Sequence, residues 1–145
     1  MQLLRDLGID HLAHRPYTEI SGGERQQATI ARALAQQPQA ILFDEPTAHL
    51  DYGNQHRTLE LIHSLAEQGY GIIITTHNPD HALLLGGQAA ILDTKGTLTS
   101  GASEDILTAT RLREVYQTDL QLIYVEQLGR TACLTMPLSR GNQKV

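Results

Sequence analysis

The sequence predicts an α/β protein in which a parallel sheet is flanked by helices, and three consecutive segments support this prediction. Residues 40–43 and 71–76 are apolar runs without alternation, a pattern typical of strands that are buried on both faces. Residues 52–68 lie between these runs and carry apolar side chains at helical spacing, with Gly69 closing the helix. A strand, a helix and a second strand with this crossover length predict a right-handed βαβ unit.

The segment before the first strand is predicted to contain helix and loop. Residues 1–20 correspond to the end of a helix followed by an irregular stretch. The triplet Ser-Gly-Gly at 21–23 is a turn signal. Residues 24–37 favour a helix because alanines recur along one side, and Pro38 lies just beyond its end.

After the second strand, the chain is predicted to form short helices and hairpins. Asn78 and Pro79 are typical of an N-cap and a first helical residue, and this helix extends to about residue 85. The remaining predicted elements are a hairpin of 88–93 with 97–99, short helices from 103 and over 111–117, strands over 120–126 and 131–138, and a polar, frayed tail from Ser139.

Composition limits the class of protein. The chain has 145 residues, enough for one domain with a modest core. Its net charge is −5 and its only lysines are Lys95 and Lys144, so no broad nucleic-acid-binding surface is expected. The single cysteine, Cys133, excludes an internal disulfide framework and a cysteine-based metal site.

Hydropathy predicts a protein without a membrane span of its own. No stretch reaches the roughly 18 apolar residues that a membrane-spanning helix needs. The first residues lack the basic and apolar regions of a signal peptide. We therefore expect a cytoplasmic protein that reaches a membrane only through a partner.

Chemically reactive side chains follow both strands of the βαβ unit. Asp44 and Glu45 come directly after the first apolar run, and His77 follows the second. Ligands of open α/β sheets bind at the carboxyl ends of parallel strands. In a metal–phosphate site of this kind, Asp44 would hold Mg²⁺, Glu45 would polarise a water molecule and His77 would bind a phosphate oxygen. The alternative is an ordinary strand-to-loop junction in which His77 only caps a strand.

A second arrangement suited to an anion precedes the first long helix. Ser21, Gly22, Gly23 and Glu24 lie at the predicted helix start, where glycines permit close approach and backbone N–H groups attract phosphate. Most triplets of this composition are plain turns, so the alternative is a turn without a ligand.

Four ordered motifs resemble those of the ATPase subunits of ATP-binding-cassette (ABC) transporters. Residues 20–26, Ile-Ser-Gly-Gly-Glu-Arg-Gln, resemble the signature motif. Residues 40–47, Ala-Ile-Leu-Phe-Asp-Glu-Pro-Thr, resemble Walker B with its catalytic glutamate. Residues 48–51, Ala-His-Leu-Asp, resemble the D-loop, and Thr76-His77 resembles the histidine switch.

The resemblance implies the C-terminal portion of one ABC ATPase domain, with a partial P-loop NTPase fold. Residues 1–36 would be the end of the helical subdomain with the signature helix. Residues 37–110 would be the core from Walker B to the histidine switch, and residues 111–145 a variable C-terminal part.

The resemblance also implies a role for each candidate residue. Two ATP molecules would lie between two ATPase subunits arranged head to tail. Asp44 would order Mg²⁺, Glu45 would act as the general base or position the water, and His77 would bind the γ-phosphate. The residues implied to contact the partner's nucleotide or to link the two sites are Ser21, Gly22, Gly23, Glu24 and Asp51.

The sequence departs from the family pattern at two positions and lacks three features. Glu24 replaces the usual glutamine, and Ile20 replaces a frequent leucine. No segment matches the glycine-rich P-loop that ends in Gly-Lys-Ser or Gly-Lys-Thr, nor the adenine-stacking aromatic residue and Q-loop. We therefore expect a fragment of a longer protein or a truncated gene. Alone, such a chain is expected to bind ATP poorly, hydrolyse it negligibly and expose apolar edges.

Residues 50–55, Leu-Asp-Tyr-Gly-Asn-Gln, resemble the segment after the D-loop in importers of iron complexes, siderophores, vitamin B12 and molybdate. The implied partners are a second ATPase subunit and an integral membrane permease, at the cytoplasmic face of the inner (plasma) membrane. Two alternatives stay open. In the first, the parent protein is a non-transport ABC ATPase of translation or DNA repair. In the second, the chain is a non-catalytic half that acts only in trans.

Overall fold

A computed structural model describes residues 2–137, which form two compact units that divide after His77. The first unit contains α1 (Gln2–Asp6), α2 (Gly22–Leu34), β1 (Ala40–Asp44), α3 (Tyr52–Glu67) and β2 (Gly71–Thr75). The second contains α4 (Pro79–Leu85), β3 (Gln88–Leu92), β4 (Leu98–Ala102), α5 (Ser103–Ile106), α6 (Ala109–Tyr116), β5 (Leu120–Val125) and β6 (Arg130–Thr135). The predicted polar tail from Ser139 lies outside the described residues.

The first unit contains the predicted βαβ unit. β1 and β2 pair in parallel, with Ala40 opposite Gly71 and Asp44 opposite Thr75, and α3 connects them. The α/β class and the parallel pairing predicted from the two apolar runs are therefore confirmed.

The predicted burial of both strand faces is wrong for these residues. Ile41 and Phe43 are buried, but Leu42 is 68% exposed and its cross-strand partner Ile73 is 62% exposed. The reason is that the sheet has two strands among the described residues and only one of its faces is covered. Leu42 and Ile73 therefore form an exposed apolar pair on the uncovered face.

α2 begins two residues earlier than predicted and ends at Leu34 instead of residue 37. It begins earlier because the Ser21 side chain caps it, so both following glycines take helical conformation. On its inner side Ala31 packs with Ile9, Leu12 and Ile20 in a buried cluster.

The second unit is built from two antiparallel hairpins, β3 with β4 and β5 with β6, as predicted. Its core packs Leu107, Leu112 and Leu120 together. The predicted start of α4 is confirmed, because the Asn78 side chain accepts a hydrogen bond from the Asp80 N–H at 2.9 Å.

Within residues 2–137, no helix combines the length and the apolar character needed to cross a membrane.

An ion pair ties α4 to β6 inside the second unit. The two terminal guanidinium nitrogens of Arg130 donate to the Asp80 carboxylate at 3.0 Å, and the Cys133 N–H donates to Asp80 Oδ1 at 3.0 Å. Partial burial opposes ionisation of Asp80, but the hydrogen bonds from Arg130 and Cys133 outweigh it and lower the pKa of this carboxyl. The carboxylate therefore stabilises the folded unit in its charged form.

We expect Asp80→Asn to lower the free energy of unfolding by about 1 kcal/mol at neutral pH, because partial exposure screens this bidentate pair. Since the pKa is lowered on folding, the contribution is complete above the unfolded value of about 3.9. It disappears as the pH falls through the lower folded value. Urea denaturation of the full-length protein at neutral and strongly acidic pH measures the difference.

The exposed Glu114 on α6 provides the control, because Glu114→Gln should change the unfolding free energy little at either pH. A destabilisation by Asp80→Asn that persists unchanged in strong acid would contradict the assigned role of the charge.

Candidate functional site

Asp44, Glu45 and His77 lie together at the carboxyl edge of the β1–β2 pair. The parallel register sets Asp44 opposite Thr75, so the residues that follow each strand leave the sheet at the same edge. Glu45 Oε1 lies 2.5 Å from His77 Nε2. The structure therefore brings together the three residues that the sequence predicts for this edge.

Thr75 holds both acidic residues in place. Its hydroxyl donates to Asp44 Oδ1 at 2.5 Å and accepts from the Glu45 N–H at 3.1 Å. The same Glu45 N–H lies 3.2 Å from the Thr75 carbonyl oxygen. The motif pattern missed Thr75; counting the parallel register from the two strand ends would have found it.

Glu45 adopts a left-handed backbone conformation, with φ of 44°. Residues with a side chain adopt this region rarely, because Cβ crowds the neighbouring carbonyl. The bonds to Thr75 hold this sharp turn, which directs the Glu45 carboxylate toward His77. Strain of this kind persists where surrounding contacts determine the conformation.

The exposure of the pair suits a ligand that arrives from solvent. The His77 side chain is 87% exposed and that of Glu45 is 39% exposed. A carboxylate in this position can accept a proton from water. The contact with Glu45 engages His77 Nε2, so a hydrogen bond from the ring to a ligand would come from Nδ1, which carries a proton beside Nε2–H only in the imidazolium form.

The donor set fits a magnesium ion better than a metal held by protein alone. Asp44 presents an exposed carboxylate, a hard oxygen ligand of the kind that Mg²⁺ prefers. Among residues 2–137, no group of three or more histidine, cysteine or acidic side chains is placed to hold a metal ion. Mg²⁺ is typically bound by one or two carboxylates together with water and phosphate oxygens, which matches a single aspartate.

The start of α2 is a capping box. The Glu24 N–H donates to Ser21 Oγ at 3.3 Å, and the Ser21 N–H donates to Glu24 Oε2 at 2.7 Å. Hydrogen bonds from Ser21 lower the pKa of Glu24, and the His11 imidazole, 3.6 Å from Glu24 Oε1, acts in the same direction. Glu24 thus stabilises the start of α2 as part of the capping box. The sequence analysis noted only that Glu24 replaces the glutamine usual in the family and did not indicate this role.

The capping box narrows the donors that this turn can offer to an anion. It uses the N–H groups of Ser21 and Glu24, so the donors that this turn offers to an anion are the N–H groups of Gly22 and Gly23. The Ser21 hydroxyl is engaged with Glu24, because its side-chain hydrogen bond is the largest cause of the lowered pKa of that carboxyl.

Asp51 lies at the start of α3 and caps it. Its carboxylate accepts from the Asn54 N–H at 2.9 Å and from Asn54 Nδ2 at 2.5 Å. Both hydrogen bonds lower the pKa of Asp51, and the one from the Asn54 backbone has the larger effect. The Asn54 side chain also lies against Gly23, so Asp51 and the Ser-Gly-Gly turn are neighbours through Asn54. The sequence analysis included Asn54 only as part of the segment that resembles importers of iron complexes and gave it no role in the site.

Comparisons with known proteins agree with the motifs. Residues 1–48 match the family model described as ABC transporter. An uncharacterized ABC transporter ATP-binding protein of Haemophilus influenzae is 43% identical over 124 residues, which are 86% of this chain and 47% of that protein. The iron(3+)-hydroxamate import ATP-binding protein FhuC of Bacillus subtilis is 32% identical over 143 residues, which are 98% of this chain and 53% of that protein.

A solved structure assigned to a metal-chelate type ABC transporter, in an inward-facing conformation, superposes with a TM-score of 0.86 at 33% identity. The match covers 94% of this chain and 55% of that one. The chain spans about half the length of the curated relatives it matches. From the motifs, the relatives and the shared fold, the chain belongs to the family of ABC transporter ATPase domains.

Proposed function

We propose that the protein carrying this chain is the ATP-binding subunit of an ABC importer for iron chelates or similar complexes, and that it hydrolyses ATP to drive a membrane permease. The observation that carries the proposal is the contact between Glu45 and His77 beside Asp44, at the edge where α/β sheets bind ligands. The names of two matched proteins, one for iron(3+)-hydroxamate import and one of the metal-chelate type, support the substrate class.

Glu45 and His77 perform the proton chemistry in this proposal. The Glu45 carboxylate orients the attacking water and accepts its proton, while His77, in its imidazolium form, donates Nε2–H to Glu45 and Nδ1–H to the γ-phosphate. Their direct contact holds the imidazole next to the base, so water and phosphate are engaged from adjacent positions. Thr75 keeps the Glu45 backbone in the turn that this geometry needs.

Asp44 would hold Mg²⁺, directly or through water, with the remaining ligands supplied by water and phosphate oxygens. When bound, Mg²⁺ neutralises charge on the transferred phosphoryl group. The hydroxyl of Thr75 orients the Asp44 carboxylate for this role.

The other nucleotide contacts belong to a head-to-tail dimer of ATPase subunits. Ser21, Gly22 and Gly23 contact the γ-phosphate of ATP held by the partner subunit, and Asp51 links the two sites. Glu24 shapes this turn through the capping box.

In this proposal the P-loop is supplied by a segment outside residues 1–145 or by another chain, because residues 1–145 contain no match to it. The exposed cross-strand pair Leu42 and Ile73 supports this part of the proposal, since a further layer of structure would cover it. Without that segment, the chain acts at most by offering its signature turn in trans.

Glu45→Gln in the full-length protein is expected to lower kcat about a hundredfold to ten-thousandfold, because the amide cannot accept the proton of the attacking water. ATP binding should be preserved, because the substitution keeps the size of the side chain. Phosphate release and equilibrium binding of ATP measure the two effects.

Glu60→Gln, which changes an exposed glutamate of α3, is the matched control and should retain wild-type turnover. Normal hydrolysis by Glu45→Gln would show that another group is the base. If turnover appears only after adding a subunit that bears a P-loop, the chain acts in trans.

Thr75→Val is expected to lower kcat about tenfold and to raise the Mg²⁺ concentration needed for half-maximal activity, because valine keeps the strand but removes the hydroxyl that orients Asp44. Thr75→Ser retains the hydroxyl and should stay close to wild type. Steady-state ATPase assays over a Mg²⁺ titration test both variants. An unchanged Mg²⁺ dependence of Thr75→Val would contradict the positioning role.

Deletion of the gene is expected to abolish uptake of an iron(3+)-hydroxamate, because the permease would lose its source of energy. Transport of radiolabelled iron measures this loss, and wild-type protein but not Glu45→Gln should restore it. Unchanged uptake in the deletion strain would exclude this substrate class. A defect in translation or DNA repair instead would favour a non-transport ABC ATPase.

A further inference from the structure

Gly23 on α2 and Asn54 on α3 approach each other too closely for a side chain at position 23. A methyl group placed on Gly23 would lie 2.7 Å from Asn54 Oδ1 and 2.9 Å from its Cγ. The same addition at Gly22 would meet no atom within 4 Å. The two neighbouring glycines therefore differ, and only at the second would an added methyl group collide with α3.

The Asn54 side chain is held from two directions and cannot move aside freely. Its Nδ2 donates to Asp51 Oδ2 at 2.5 Å, and its Oδ1 accepts from Arg57 at 3.0 Å. Its backbone N–H donates to the second Asp51 oxygen at 2.9 Å. A short side chain fixed at both polar ends behaves as a rigid contact surface.

We propose that Asn54 is a positioning residue that couples Asp51 to the Ser-Gly-Gly turn, so that the two segments facing the partner subunit move as one body. This inference rests on the proposed function, which places the turn on the partner's nucleotide and Asp51 at the link between sites. A shift of the turn on contact with phosphate passes through Gly23 to the Asn54 amide. From there it reaches the Asp51 carboxylate through two hydrogen bonds.

The contact is tested first by a double-mutant cycle on the unfolding equilibrium of the full-length protein. Gly23→Ala should destabilise wild type, because the methyl group collides with Asn54. In the Asn54→Ala background the same change should stabilise by up to about fivefold in the unfolding constant, because alanine is favoured over glycine in a helix. The sign of the effect therefore reverses with the identity of residue 54.

Gly22→Ala is the matched control, since its methyl group meets nothing and its effect should not depend on Asn54. Additive effects of Gly23→Ala and Asn54→Ala would overturn the contact, and with it the proposal. Asn54→Ser removes the amide group that collides with the methyl group but keeps a polar side chain in the first turn of α3. It serves as the second variant if Asn54→Ala does not fold, and the same reversal of sign is expected with it.

The positioning role is tested by ATPase kinetics of the full-length protein that carries Asn54→Ala. We expect kcat to fall about tenfold and the Hill coefficient for ATP to fall toward one, with KM changed less than about twofold. A residue that only stabilises the fold would leave kcat and the Hill coefficient of the folded protein unchanged. Gln68→Ala, which removes an amide at the far end of α3, should match wild type.

Wild-type turnover and cooperativity in Asn54→Ala would overturn the coupling. A wild-type protein without ATPase activity would overturn the proposed function instead, and the unfolding cycle would still decide whether Asn54 packs against Gly23. The two failures are therefore distinguishable.

Discussion

The parallel pairing of β1 with β2 is the constraint on which the candidate site depends. Because the register sets Asp44 opposite Thr75, one hydroxyl can bond the aspartate carboxylate and the next backbone N–H together. Glu45 lies one residue beyond the end of β1 and His77 two residues beyond the end of β2, which brings the Glu45 carboxylate into contact with the His77 imidazole. A slip of one residue would turn Asp44 to the opposite face of the sheet and separate these groups.

The two other acidic candidates share a different constraint, because both are part of a helix start. Glu24 completes the capping box of α2, and Asp51 caps α3. Hydrogen bonds to the ionised carboxyl lower the pKa in each case. Local bonds therefore fix the shape of both segments in the chain itself, which reduces the ordering cost when a ligand binds.

The order and type of the elements were predictable from sequence because each is marked locally. Asn78 and Pro79 mark the start of α4, and the apolar runs mark β1 and β2. The sequence analysis began α2 two residues too late, because a pair of glycines is typical of a turn and Ser21 was not recognised as the N-cap. The exposure of Leu42 was not predictable, since burial depends on the layers packed against a strand and not on the strand's own composition.

Within the site, the sequence indicated the residues that can do chemistry but not the residues that hold them. Asp44, Glu45 and His77 stand out as titratable groups at strand ends, whereas Thr75 is an ordinary β-branched residue inside a strand. Asn54 is likewise an ordinary polar residue in the first turn of a helix. Thr75 contacts Asp44, which lies 31 residues earlier in the chain, and Asn54 on α3 contacts Gly23 on α2. Such residues are found by register and packing, because their type carries no signal by itself.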